Sequence, residues 1–392
     1  MRRDHQGGWR VGVTGLTAGL AFAFLLTPVY GESPPPHDAD GLQQTIRSLQ
    51  DRIERLEADQ SSREVEQEHE ELRPRFGLNL GVFGDVNVSS TPRGQQRPAF
   101  GLGEIGLYST ARSGDRLTFL FEAAIEVDED PTEFDVERYW VGYTFSDRLV
   151  VRAGRVHTAI GYWNRTYHHA RYFFPTIDRP FVLAYHDGVL PTHLVGVEFA
   201  GTLRRGPTSL QYELEIGNGP EIDPVNQALK VTTDVQDRER SKQVALRIVG
   251  RHAALPGLTV GLSGTTYAFA VPSLRELVIG MEVARSGTRV EWIAEVWRLA
   301  NPSAVAWAGY LQGVWKLWDA TMPFARVEWL ETDAADPYLV ALNAAVDRHQ
   351  LIVGIRHDVE PLRSVVKAQY RRDSRADDHI RHIAELQWAF GF

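Results

Sequence analysis

The chain has 392 residues, a formal net charge of −9 and no cysteine. An acidic balance of this kind offers no basic face for nucleic acid. The missing thiols exclude a lipid-acylated cysteine and fit an oxidising compartment.

In chain order, residues 1–31 read as a cleaved export signal. Arg2, Arg3 and Arg10 form a positive start, Val11 to Leu26 is uncharged and mostly apolar, and Val29-Tyr30-Gly31 supplies the cleavage position. The apolar run is shorter than the ~20 residues that cross a bilayer as a helix. Residues 32–40 form a stiff Pro-rich linker around Pro34-Pro35-Pro36. Over 41–72, Leu42, Ile46, Leu49, Ile53 and Leu56 repeat at spacings of 4, 3, 4 and 3, the seam of a coiled coil, followed by an acidic spacer from Glu64 to Glu71. A helix this short is marginal alone, which predicts self-association; the alternative is a single amphipathic helix. Ile at a with Leu at d favours two strands, so the seam does not itself specify a trimer.

From residue 75 to 392 the recurring pattern is alternation of apolar and polar residues over about ten positions. Leu210, Tyr212, Leu214 and Ile216 oppose Gln211, Glu213 and Glu215; Val290, Trp292, Ala294 and Val296 oppose Glu291 and Glu295. Strand starts fall near 76, 99, 115, 134, 149, 191, 208, 241, 256, 275, 288, 304, 322, 348, 362 and 379. Links alternate between short ones, such as Ser146-Asp147 and Arg205-Gly206-Pro207, and long ones, notably 161–190, 218–240 and 333–347. Tyr and Trp recur near strand ends. A soluble sandwich shows the same alternation, but short turns on one rim and long loops on the other are the transmembrane arrangement. The expected fold is therefore all-β: a transmembrane antiparallel barrel of about sixteen strands, wide enough for an aqueous channel, with a short coiled-coil helix before it in the periplasm. The last strand alternates to Trp388, Phe390 and Phe392, the pattern of a membrane-insertion signal.

These features resemble the trimeric porins of Gram-negative bacteria, in particular the phosphate-selective and dicarboxylate-type porins, some of which carry an N-terminal coiled coil. The likeness rests on Leu149 to Val156, on Ile160-Gly161-Tyr162-Trp163-Asn164 and on Trp388 to Phe392. It implies a homotrimer in the outer membrane, in contact with its lipids and inserted by the barrel-assembly machinery. It also implies passive diffusion of small hydrophilic solutes, with small anions such as phosphate or dicarboxylates as candidates, and no cofactor or metal. In such porins a long loop folds into the barrel and narrows it, and here the candidate is 157–190.

That loop carries His157, Arg165, His168, His169, Arg171 and Arg179, an expected constriction tolerant of anions. The same residues would equally serve to pin the loop by hydrogen bonds. On the inferred inner face, Arg138, Arg152, Arg247, Arg326, Arg356, Lys367 and Arg371 would form a basic arc opposite Glu213, Glu215, Glu291 and Glu295. Local ion pairs that merely solvate the wall are the alternative. The readings from other classes are a barrel enzyme, which lacks a Gly-x-Ser-x-Gly elbow here, and a periplasmic tether or adhesin.

Overall fold

The computed structural model describes residues 76–90, 98–126, 133–167, 171–184, 188–223, 227–231, 242–269, 273–378 and 380–392. The expected signal, linker and coiled-coil seam, with Leu42, Ile46, Leu49, Ile53 and Leu56, lie outside them.

Period-2 alternation becomes a closed antiparallel barrel of sixteen strands. The first five are β1 (Phe76–Ser89), β2 (Ala99–Ser113), β3 (Leu117–Glu126), β4 (Glu133–Ser146) and β5 (Leu149–His157). After a long segment come β6 (His193–Arg205) and β7 (Thr208–Asn218), then a two-stranded ribbon of β8 (Pro220–Ile222) and β9 (Leu229–Val231) outside the barrel sheet. The wall continues with β10 (Gln243–His252), β11 (Leu258–Phe269), β12 (Leu274–Ser286) and β13 (Val290–Ala300). It ends with β14 (Val305–Trp315), β15 (Thr321–Glu331), β16 (Arg348–Val359), β17 (Ser364–Arg375) and β18 (Arg381–Gly391). β18 pairs with β1 from Phe83–Gly391 to Ser89–Glu385, which leaves no free edge. Every barrel strand begins within two residues of its expected start.

Short turns join the strands at one rim; Gly206, at φ +56°, supplies the left-handed residue that the tight β6–β7 turn needs. Long connections occupy the other rim. The outward face is a band of exposed apolar side chains, including Leu246, Leu262, Ile279, Leu311, Val327 and Val353. On β14, Trp307 and Trp315 bound it at 45% and 39% exposure. They lie eight residues apart, about 27 Å along the strand. At a tilt of about 40° that is about 21 Å of height, close to the apolar band of an outer-membrane barrel.

The inner face is less wet than expected. On β11 to β15, Tyr267, Phe269, Val278, Ile293, Trp297, Leu299, Tyr310 and Leu330 point inward and are buried. They pack against Ile160, Trp163, Phe174, Phe181 and Leu190 of the β5–β6 segment and against Tyr338 and Leu339 of the short helix Pro337–Ala341. The apolar core of this barrel therefore lies inside it, between wall and loop.

Candidate functional site: an inward loop and the charges around it

The described residues of the 158–192 segment reach across the lumen to β13, β15 and β17 and are held largely by their backbone. Gly161, at φ +69°, precedes the five-residue helix Tyr162–Thr166 and leaves it without a side-chain cap of its own. The cap comes from the wall. Glu295 on β13 accepts from the amides of Tyr162 at 2.5 Å and Trp163 at 2.9 Å. A Cβ at Gly161 would collide with that carboxylate. Trp163 then lies edge-on to Phe174 and to Tyr310, with Arg326 5.4 Å above its ring.

Further along, wall carboxylates and amides receive loop N–H groups. Glu215 accepts from Ala159 at 2.8 Å, Gln369 from Ile177 at 3.0 Å and Glu328 from Phe181 at 2.6 Å. Wall cations give their protons to loop carbonyls. Arg326 donates to Asp178 O and Arg179 O, Arg356 to Tyr172 O and Phe174 O, and Lys367 to Arg171 O and Thr176 O. Each partner meets the need of a buried backbone group that would otherwise be unpaired.

This corrects part of the expected wall. Arg326, Lys367, Glu215 and Glu295 are at most 2% exposed and Arg356 is largely covered, so these five hold the loop rather than line open water. Nor do acids and bases sit on opposite walls. Glu213 and Glu215 lie beside Arg165 at 3.1 and 3.4 Å, and Glu213 beside Arg247 at 3.1 Å, on adjacent strands. Glu291 stands at the short-turn rim with Lys316.

The remaining candidates divide similarly. His157 closes β5, buried against His193 of β6 with ring centroids 5.5 Å apart. Arg165 reaches Glu198 of β6 and Glu213 of β7, while Arg171 reaches Asp85 of β1 at 3.3 Å. Arg179 donates to Leu183 O inside the loop. His168 and His169 lie outside the described residues. Arg138 pairs with Glu122, Arg152 with Glu198, and Arg371 with both Asp178 and Glu385. Burial pushes the Asp178 carboxyl up, but the guanidiniums of Arg371, Arg171 and Arg326 outweigh it and hold the group below the ordinary carboxylate value.

Four anchors went unread in the sequence: Asp85, Glu198, Glu328 and Gln369. Asp85 of β1 stands opposite two residues of β2, Gly103 and Glu104, where the register slips at a β-bulge. Ordinary alternation against the exposed Leu78, Leu80 and Val82 turns its carboxylate inward, where it accepts from Glu104 N, Arg171 and Gln387. The lone charged residue of β1 was the available signal.

A closed sixteen-strand barrel with a long segment pinned across its lumen defines the architecture of the outer-membrane porins. No known protein family and no curated protein matches the chain in sequence. Among solved structures, OmpF of Salmonella typhi in complex with daunomycin is similar at TM-score 0.59 and 10% identity, covering 80% of this chain and 97% of its own. The outer-membrane channel DcaP of Acinetobacter baumannii matches at 0.56 and 12%, covering 81% and 97%. An anion-selective porin from Comamonas acidovorans matches at 0.55 and 12%, covering 81% and 100%. At such identities the likeness speaks for the fold.

Proposed function

We propose that this chain is an outer-membrane porin that passes small hydrophilic solutes by diffusion and favours small anions. The observation that carries the preference is an asymmetry inside three of the lumen's ion pairs. Side chains of Arg138, Arg152 and Arg171 are 23%, 26% and 32% exposed, whereas their partners Glu122, Glu198 and Asp85 are 8%, 1% and 2% exposed. The guanidiniums stand toward water and the carboxylates lie behind them, so a passing ion meets the positive end of each pair first. Asp135, Asp178, Glu213 and Asp358 run the other way, more exposed than Arg155, Arg371, Arg247 and Arg356. They temper the field without reversing the three pairs.

The same reading places the barrel in the outer membrane among its lipids, delivered there by the barrel-assembly machinery, as a homotrimer. The outward face of β2 and β4 supports contact between copies, since Phe100 and Phe134 are 85% and 65% exposed at the long-loop rim. A periplasmic coiled coil from the N-terminal seam belongs to this proposal too.

The test is single-channel recording of the purified protein in a planar bilayer under a salt gradient. Expected are conductance steps in groups of three and a reversal potential of anionic sign. Arg138→Gln, Arg152→Gln and Arg171→Gln together should move that potential toward zero. A cation-selective wild type, or a triple variant with unchanged selectivity, removes the anion preference; a folded barrel that never conducts removes the pore.

A further inference from the structure

We propose that the outward face of β16 to β18 at the long-loop rim is a seat for the phosphorylated headgroup of a membrane lipid, an inference that rests on the barrel lying in a membrane. The lumen's arginines and those outside it are treated differently. Arg138, Arg152, Arg247, Arg326 and Arg371 each face a carboxylate. At the long-loop end of the outward face, Arg275, Arg298 and Arg372 make no ion pair or side-chain hydrogen bond with the described residues.

Alternation fixes their direction. Arg371 and Asp373 point inward, to Asp178 and to Arg348, so Arg372 points out, and it is exposed. The register then gathers a patch around it. Arg372 is the direct cross-strand partner of His382 on β18 and of Leu351 on β16, next to His349. The Tyr370 hydroxyl lies 2.6 Å from His382 Nδ1, with the two rings stacked. Trp329, Leu351, His349 and Arg372 line a groove of about 390 Å³, which Glu331 enters as the opposing charge.

A guanidinium directed at a bilayer is costly at the midplane and nearly free at the interface. Arg372 lies three residues short of the end of β17, beside Tyr370, at the level where aromatic side chains mark the interface. An unpaired fork of donors there, flanked by two imidazoles, matches the oxygens of a phosphomonoester better than a zwitterionic headgroup does. The aliphatic and indole surface of Leu351 and Trp329 would take the first part of the acyl chain. Among the described residues on the other side of the barrel, Phe100, Leu102, Ile125 and Phe134 fill the outward positions near the same rim. The charge is thus confined to the face left for lipid if copies meet through β1 to β4.

The experiment uses the purified full-length protein in neutral detergent micelles, titrated with phosphatidic acid or with phosphatidylcholine of the same chains, and counts bound lipid by native mass spectrometry. Wild type should retain phosphatidic acid in preference to phosphatidylcholine. Arg372→Gln should lower that affinity about fivefold, and adding His349→Gln and His382→Gln should lower it further. These side chains point away from the core, so heat-modifiable folding should persist and is checked on the same samples. Equal retention of the two lipids, an Arg372→Gln protein that binds like wild type, or displacement of the lipid by millimolar inorganic phosphate would each overturn the proposal. Conductance in bilayers free of phosphomonoester lipid separates the two readings. A conducting barrel without lipid preference loses only this inference, and a silent barrel that keeps the preference loses only the pore.

Discussion

Glu295 and Trp163 are 132 residues apart in sequence, yet the amide N–H of Trp163 donates to the Glu295 carboxylate across 2.9 Å inside the barrel. The same carboxylate takes the amide of Tyr162 and the hydroxyl of Tyr310. It is the cap of the loop helix, supplied by the wall. Glu295→Ala should leave two buried amides unpaired, at about 1–3 kcal/mol apiece. The expected outcome is a lower thermal midpoint together with larger, noisier conductance as the loop loosens, and Glu295→Gln, which keeps one acceptor oxygen, should lie between. Gly161→Ala should act in the same direction through its backbone conformation and the collision with Glu295. An alanine variant with wild-type midpoint and conductance would show that this carboxylate does not hold the loop.

Arg326 offers a sharper energetic contrast. Its guanidinium, with a fully buried side chain, serves Glu328, Thr176, Asp178 O, Arg179 O and Gln312. Arg326→Met strands a buried carboxylate and several loop acceptors, a loss of about 3–5 kcal/mol. Removing the stranded charge as well, in Arg326→Met with Glu328→Gln, should recover part of that loss. Chemical unfolding of the two variants and of Glu328→Gln alone gives the coupling directly. Additive losses would mean that the pair is not a unit.

The strands were legible because every second residue repeats the same instruction, so sixteen starts could be placed from alternation and turn residues alone. Faces were legible too: Glu213, Glu215 and Glu295 all point inward as their parity requires. What covers a face is not written in its period. Arg326, Lys367 and Glu295 read as wet wall because their partners lie 132 to 196 residues away in the chain. A local signal did exist, since Ile293 and Trp297 share parity with Glu291 and Glu295, and a water-filled wall has no use for a buried indole. Asp85 escaped for a related reason. Its own strand keeps its period, but the bulge that brings Glu104 N to the Asp85 carboxylate is an extra residue of β2, and Arg171 comes from 86 residues away.

The Asp178 anchor should resist mild acid. The Asp178 carboxyl accepts from Gln369 at 2.9 Å, pairs with Arg371 at 3.0 Å, and is held below its ordinary value. A carboxyl depressed in the folded state contributes its full stabilisation above the unfolded value and loses it as pH falls through the folded one. The step in conductance and loop proteolysis that belongs to Asp178 should therefore fall below about pH 4 and not between about pH 7 and 5. In Asp178→Asn the anchor is weakened at every pH, so the acid step should shrink. An acid step of the same size and midpoint in that variant would assign it to another group.

Asp85 and Arg171 separate pinning from field. Arg171 stands a third exposed in the lumen while Asp85, behind it, is almost fully buried. Arg171→Gln removes a positive charge facing water and should move the reversal potential away from the anionic side. Asp85→Asn keeps the shape and an acceptor oxygen for Glu104 N, yet deletes the negative charge behind the guanidinium, so it should move the potential toward anions. Both substitutions weaken the same contact, so any effect through loop looseness alone would change conductance in the same direction for each. Opposite shifts in selectivity would mean that the pore senses these charges. Shifts of one sign would leave Arg171 as an anchor only, with the preference then resting on Arg138 and Arg152.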